Sequence, residues 1–244
     1  MVISDLTGSG ILIAYYALVC AVLPVLLKRF TRIPAEVVRK VQHVGYSMSV
    51  FILLNLFSAW YMAIAGGLLL IALAYPALWA MEQFRWYKTA FVDRSSRGGE
   101  LRSSMLLVQI AFGILIAIFW GWLGEPWKPV IGVAAMGWGF GDAAAALVGK
   151  AWGRRHVLIR FVDSAKTYEG TLAMLVVAGT ALFWTLRLYV GLSWSVSLLI
   201  AMFVAPVGSV VELFSRKGVD TLTVPLSIAF STLPLMVFFV WLGW

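Results

Sequence analysis

Hydrophobic residues occur along this chain in runs of about twenty, and short polar segments separate the runs. A run of that length is what an α-helix needs to cross a hydrocarbon core of roughly 30 Å. Charged residues, proline and glycine mark the ends of the runs, which predict eight membrane-spanning helices. These lie at about 9–28, 43–59, 60–80, 104–123, 129–149, 169–190, 194–213 and 223–243. The second and third are separated only by a turn at residues 58–61, so they could form either a hairpin or one long kinked segment.

The composition supports a membrane location for the whole chain of 244 residues. Hydrophobic residues make up 62% and charged residues only 12%, whereas roughly 25% charged residues is usual in soluble proteins. Because no stretch is polar enough for a separate soluble domain, we expect one all-α integral membrane domain over residues 1–244. The single cysteine, Cys20, excludes an internal disulfide bond and a multi-cysteine metal site.

The charged residues predict the orientation of the chain in the membrane. Of the 19 Lys and Arg residues, 17 are assigned to the first, third, fifth and seventh loops, and only Lys128 and Arg187 fall on the opposite side. Basic loops stay in the cytoplasm, so we expect both termini outside and, in a prokaryote, a plasma-membrane protein. The net charge of +8 is explained by these loops, and we expect no nucleic-acid partner. Most acidic residues and both histidines also fall on the cytoplasmic side, so candidate chemistry gathers at that face.

The first candidate is Asp142, a carboxylate about two turns from the cytoplasmic end of the fifth predicted span. Gly141 precedes it, and Gly149 and Gly153 follow on its helical face. Close helix packing accounts for the small residues but leaves Asp142 unexplained. An ionisable group at that depth costs roughly 2.5 to 3.5 kcal/mol and normally faces protein or a wet cavity. We therefore interpret Asp142 as a functional residue.

A second candidate cluster precedes and begins the sixth predicted span: Arg154, Arg155, Lys166, Thr167, Glu169 and Gly170. A helix N-terminus offers free N–H groups, and with nearby cations it makes an anion site suited to phosphates. Glu169 could hold a divalent ion. Simple capping by Thr167, with Glu169 at the positive end of the helix dipole, explains the cluster equally well.

The third candidate cluster joins the seventh and eighth predicted spans, where Glu212 and Asp220 flank a basic turn that contains Lys217. Carboxylates at these positions, together with Asp142, could hold Mg²⁺ and bridge the phosphates of a nucleotide. The alternative for Glu212 is an ordinary surface ion pair with Arg216 four residues later.

The fourth candidate cluster is Arg39, Lys40 and His43, which lie near one another at the start of the second predicted span. Basic groups there suit phosphates or anionic lipid headgroups, and His43 could act as a base or donate a hydrogen bond to a phosphate. Membrane topology alone also accounts for the two cations.

Taken in order, these four clusters resemble the motifs of the CTP-dependent polyprenol kinases. That family comprises dolichol, phytol and farnesol kinases with the yeast-type diacylglycerol kinase, and it is related to phosphatidate cytidylyltransferases. The likeness covers about residues 36 to 226. It implies transfer of the γ-phosphoryl group of CTP to a membrane lipid alcohol at the cytoplasmic face.

The resemblance also implies roles for individual residues. Asp142, Glu212 and Asp220 would lie at Mg²⁺, and Asp142, Lys166 and His43 are the candidates for catalysis. The candidates for binding the nucleotide are Arg39, Lys40, Gly141, Gly149, Gly153, Arg154, Arg155, Thr167, Glu169, Gly170 and Lys217. The expected partners are CTP, a lipid alcohol and the bilayer, and the sequence leaves a homodimer open.

Two other functions fit parts of the pattern. Cytidylyl transfer to phosphatidate uses the same nucleotide but attacks its α-phosphorus. A transporter is suggested by the intramembrane Asp142 and the many spans. A transporter should have polar groups at intermediate depths in the membrane. The first, fourth and eighth predicted spans have almost none in their middles, which argues against this function.

Overall fold

The computed structural model describes residues 3–84, 99–160, 162–215 and 218–243, apart from the side chain of Glu100. Within these ranges the chain is α-helical and contains no β-strand, which confirms the predicted fold class. The α-helices are α1 (Ile3–Ala17), α2 (Leu23–Phe30), α3 (Ala35–Met48), α4 (Val50–Asn55), α5 (Trp60–Met81), α6 (Glu100–Leu115), α7 (Lys128–Trp152), α8 (Tyr168–Thr185), α9 (Trp194–Phe214) and α10 (Asp220–Trp241). Three π-helical segments lengthen them, at Leu18–Val22, Ile116–Trp122 and Leu186–Val190.

Seven helical segments in the described part of the chain are long and apolar enough to cross a membrane. They are Ile3–Phe30, Trp60–Met81, Leu101–Trp122, Glu125–Trp152, Tyr168–Val190, Trp194–Phe214 and Asp220–Trp241. Each corresponds to one predicted span, so the protein is a polytopic integral membrane protein.

The remaining predicted span, at residues 43–59, is formed differently. Helices α3 and α4 cover it as far as Asn55, and Ser49 between them keeps helical dihedral angles (φ −61°, ψ −19°). The helical path from Ala35 to Asn55 is therefore about 31 Å long at 1.5 Å per residue. It begins eight residues earlier than predicted, because it starts directly after Pro34 rather than where the apolar composition begins.

The helices form two compact units, Met1–Ala117 and Ile118–Trp244. In the first unit, buried Asp5 accepts hydrogen bonds from the backbone N (2.8 Å) and the hydroxyl (2.9 Å) of Ser58. Further along α1, the Tyr16 hydroxyl accepts a hydrogen bond from Gln109 Nε2 (2.6 Å) and contacts Ser49 Oγ (3.2 Å). Such partners are needed because lipid offers no hydrogen bonds to a buried polar group.

The second unit is built around α7, the most deeply buried of its helices. Helix α8 packs along α7, and α9 packs against α8 and α10. Glycines permit the close approach of α7 and α8. A Cβ atom at Gly141 would lie 2.5 Å from Met174 Sδ, and one at Gly137 would lie 2.8 Å from Leu182 Cδ2. Close packing, which the sequence left open for Gly141, is therefore present.

Candidate functional site

Lys166 and Glu212 form the centre of the candidate site in the second unit. Lys166 Nζ donates a hydrogen bond to the carbonyl oxygen of Glu212 (2.8 Å) and forms an ion pair with its carboxylate. Glu212 is buried in the last turn of α9. A cation is favourable at that position because the carbonyl groups of a helix C-terminus carry partial negative charge.

Two further carboxylates lie near Glu212. Asp142 is buried within α7, and Asp220 is the first residue of α10. Both are close enough to Glu212 to interact with it electrostatically. Asp142 therefore faces protein rather than lipid. Four residues predicted as metal ligands or catalytic groups, Asp142, Lys166, Glu212 and Asp220, are brought together from three helices and one loop.

The three carboxylates supply the hard oxygen ligands that Mg²⁺ prefers. Within the described ranges, no three Asp, Glu, His or Cys side chains already form a group that could hold a metal ion. Magnesium sites commonly use one or two carboxylates and complete the coordination with water and substrate phosphates. The donor set therefore fits a magnesium ion that arrives with a nucleotide, and the metal role remains a prediction.

The loop before α8 holds Lys166 in place through its backbone. His156 and Thr167 form an antiparallel bridge, in which the N of Val157 donates to the carbonyl of Lys166 (3.0 Å). The N of Lys166 in turn donates to the carbonyl of Asp163 (2.9 Å). Because both backbone polar groups of Lys166 are bonded within the loop, its side chain starts from a fixed point at the base of α8.

Thr167 and Glu169 cap the start of α8. Thr167 Oγ1 accepts a hydrogen bond from the backbone N of Gly170 (3.1 Å), as expected of an N-cap residue. Glu169 Oε2 lies 3.4 Å from the backbone N of Arg155, so this carboxylate faces the loop. The capping role that the sequence left open is thus present, and nucleotide binding by Thr167, Glu169 and Gly170 remains a prediction.

Three of the predicted glycines meet at Thr167. A Cβ atom at Gly149 would lie 3.0 Å from Thr167 Oγ1, and one at Gly153 would lie 2.7 Å from Thr167 Cγ2. A Cβ atom at Gly170 would lie 2.9 Å from the backbone oxygen of Ala145. The glycines thus let α7 and α8 touch backbone to backbone beside the candidate site, whereas a direct role in nucleotide binding remains a prediction.

An open cleft of about 380 Å³ lies at the base of the loop, and it is lined by Arg154, Arg155, Tyr168, Glu169 and Leu172. Both arginines are exposed. Tyr168 and Leu172 were not predicted, although their spacing of four residues places them on one face of the first turns of α8. The cleft combines two cations with an exposed aromatic ring.

A second groove, of about 390 Å³, lies between the end of α9 and the start of α10. It is lined by Val210, Val211, Phe214, Ser215, Val219 and Thr223. Ser215 Oγ and Thr223 Oγ1 are 2.6 Å apart within it. Sequence reasoning did not single out these two hydroxyls, because serine and threonine are common near helix ends.

The other predicted site residues belong to the first unit or lie outside the described residues. Arg39, Lys40 and His43 belong to α3 of the first unit, where Arg39 forms an ion pair with Glu36 and Lys40 is buried. Their proposed roles remain predictions. Lys217, and the Arg216 considered as a partner of Glu212, lie outside the described residues.

Comparison with known proteins identifies a relative of this chain. No family model matches the chain, and no solved structure matches it. A curated protein described as phytol kinase, from Synechocystis sp. (strain ATCC 27184 / PCC 6803 / Kazusa), is 35% identical over 205 residues. The match covers 84% of this chain and 81% of that protein.

Proposed function

Since the chain belongs to the phytol kinase family, we propose that it is a lipid kinase that transfers the γ-phosphoryl group of CTP to an isoprenoid alcohol. Phytol, farnesol and dolichol are the candidate substrates. The observation that carries the proposal is the convergence of Lys166, Glu212 and the carboxylates around them in one place. The four clusters that resemble the polyprenol kinases support the choice of CTP.

The residues suit phosphoryl transfer because that reaction depends on alignment and charge neutralisation more than on covalent chemistry by the protein. An ammonium group has three N–H donors, and Glu212 engages Lys166 through its carbonyl and its carboxylate. A third donor is left to bind a phosphate oxygen. Arg154 and Arg155, exposed at the cleft beside α8, would bind the rest of the triphosphate.

The carboxylates would serve the metal. When bound, Mg²⁺ would supply positive charge against the negative charge that develops on the phosphates during transfer. Asp142, Glu212 and Asp220 are the residues proposed to hold it. On the basis of the sequence pattern, His43 is the proposed base, and Arg39 and Lys40 are proposed to bind phosphate.

The proposed location of the reaction is the cytoplasmic boundary of the membrane. A lipid alcohol presents its hydroxyl group at the headgroup level, whereas CTP arrives from water. Glu212, Asp220 and Lys166 lie at helix ends or in a loop. These ends adjoin basic loops, and the tendency of basic loops to remain in the cytoplasm supports this location.

The test is the fate of labelled phosphate with the purified full-length protein. With γ-labelled CTP, Mg²⁺ and a panel of isoprenoid alcohols, we expect label in the lipid and release of CDP. Parallel reactions with ATP, GTP and UTP measure nucleotide preference. Labelled pyrophosphate with an unlabelled cytidine-containing lipid would instead indicate cytidylyl transfer, and absence of lipid label with every alcohol and nucleotide would refute the kinase.

A further inference from the structure

The groove between α9 and α10 is apolar except at one end. Val210, Phe214 and Val219 line it and are about half exposed, at 52%, 48% and 49%. Its volume of about 390 Å³ lies within the roughly 300 to 1,000 Å³ typical of small-molecule sites. The polar end is formed by Ser215 and Thr223.

The two hydroxyls keep hydrogen-bonding capacity for a ligand. Ser215 Oγ lies 2.6 Å from the carbonyl of Val211, and Thr223 Oγ1 lies 3.1 Å from the carbonyl of Val219. The two oxygens also contact each other. Each hydroxyl has one proton and two lone pairs, so the protons are occupied within the protein while lone pairs remain. The pair can therefore accept a hydrogen bond from an alcohol.

This polar end lies three residues along the chain from two carboxylates of the candidate site. Ser215 is the C-cap residue of α9, three residues after Glu212, and Thr223 follows Asp220 by three residues within α10. Residues three apart lie on the same side of a helix, so Thr223 lies on the same side of α10 as Asp220. Val207 and Phe203, three and seven residues before Val210 on α9, are exposed and apolar, so they continue the apolar side of the groove along that helix. The groove thus runs from a surface suited to lipid to the acids.

We propose that this groove binds the hydrocarbon chain of the lipid alcohol substrate next to its reacting end, with the hydroxyl group of the alcohol held by Ser215 and Thr223. The inference rests on the proposed kinase function and adds the route by which the substrate enters, from the bilayer and between two helices. It also makes Ser215 and Thr223 positioning residues. A long chain with a single hydroxyl complements an apolar groove with one polar end.

The test uses photo-crosslinking, which needs neither nucleotide nor turnover. Purified full-length protein is irradiated with an isoprenoid alcohol that carries a diazirine near its hydroxyl end. We expect labelled peptides to map to residues 210–223. Val210→Trp fills the groove and should reduce this labelling about tenfold, the effect of losing the burial of one or two methylene groups. Leu198→Trp, on the same helix and exposed but outside the groove, is the matched control and should label like the wild type.

Kinetics give a second measurement. Thr223→Val removes a hydroxyl at nearly constant shape, and we expect KM for the alcohol to rise about tenfold with KM for CTP unchanged, because only binding of the alcohol is weakened. Labelling that spreads along other membrane helices, or that Val210→Trp does not reduce, would refute binding of the alcohol in this groove even if the enzyme is active. Failure of the proposed kinase function would appear separately, because the wild-type protein would then phosphorylate no alcohol.

Discussion

Lys166 and Glu212, 46 residues apart in the chain, form an ion pair that joins the loop before α8 to the last turn of α9. Both side chains are largely shielded from solvent. Removing one partner of such a pair leaves the other charge buried and uncompensated. A single substitution would therefore reduce stability and activity together, and would not show which role the pair serves.

A double substitution separates the two roles. We expect Lys166→Met or Glu212→Leu alone to lower the free energy of unfolding by about 3 kcal/mol. The double variant should recover most of that loss, because two apolar side chains leave no unpaired charge. It should nevertheless remain inactive, because phosphoryl transfer needs the charges. Thermal unfolding in detergent and γ-phosphoryl transfer measure the two effects.

The exposed Lys150 at the end of α7 provides the control, and Lys150→Met should change neither quantity. A double variant that is stable and turns over at the wild-type rate would mean that Lys166 and Glu212 serve structure alone.

Substitution of Asp142 tests its proposed role as a magnesium ligand. We expect Asp142→Asn, which preserves shape, to reduce kcat by about 100-fold to 1,000-fold, the size of effect seen when one preorganised electrostatic contact is lost. The Mg²⁺ concentration for half-maximal activity should rise, because a ligand charge is removed. Titrating MgCl₂ at fixed CTP measures both. Glu125→Gln, at the other end of the same span and on an exposed carboxylate, is the control and should leave the titration unchanged.

The sequence predicted which residues come together at this site better than it predicted the contacts between them. Asp142 was predictable because a carboxylate inside an apolar run is costly unless it faces protein, and it is buried in α7. The pairing of Lys166 with Glu212 was not predictable, because 46 intervening residues give no local pattern. Thr167 shows the opposite case, since an N-cap depends only on the next three residues.

The role of the glycines also could not be predicted from their spacing alone, because it depends on packing against a distant part of the chain. Their spacing indicated a helix face of small residues, but whether that face approached a nucleotide or a helix depended on where α8 lay. The structure places Gly149 and Gly170 3.4 Å apart, measured from a Cβ built on Gly170 to Gly149 Cα.

This close approach makes a stability prediction. Gly170→Ala introduces a methyl group 2.9 Å from the backbone oxygen of Ala145, and we expect it to destabilise the protein by about 1 to 3 kcal/mol, as overpacking does. Gly179→Ala on the same helix is the control. Its nearest neighbour would be Ala205 Cβ at 3.4 Å, and the higher helix propensity of alanine favours it. Equal unfolding temperatures for the two variants would contradict the tight contact of α7 with α8.

The arginines at the base of α8 give a prediction about nucleotide binding. We expect Arg154→Gln and Arg155→Gln each to raise KM for CTP about tenfold with a smaller change in kcat, because they remove attraction to the triphosphate that is present before the transition state. The effect should shrink at high salt, since both side chains are exposed and screening weakens their field. Initial rates at two ionic strengths test this.

The control is Lys150→Gln, which also replaces an exposed basic residue, four positions before Arg154. This variant should keep the wild-type KM for CTP, and an equal increase there would indicate only a general surface charge effect.

The final prediction concerns the crossing made by α3 and α4. Together they are long enough to span the bilayer, although Glu36, Arg39 and Lys40 occupy the first turns. Basic side chains at a helix end can extend to the interface, so we expect the pair to cross and both termini to lie outside. Single cysteines at Ser4→Cys, Arg154→Cys and Leu242→Cys, in a Cys20→Ser background, can be labelled on intact cells with a membrane-impermeant maleimide.

We expect Ser4→Cys and Leu242→Cys to label on intact cells, and Arg154→Cys to label only after permeabilisation. Labelling at opposite faces for Ser4→Cys and Leu242→Cys would mean an odd number of crossings, and α3 with α4 would then lie along the interface. The basic loop before α3 and the loop that holds Lys166 would in that case face opposite sides. Since CTP arrives from one side only, Arg39, Lys40 and His43 would lose their proposed roles, whereas the residues of the second unit would keep theirs.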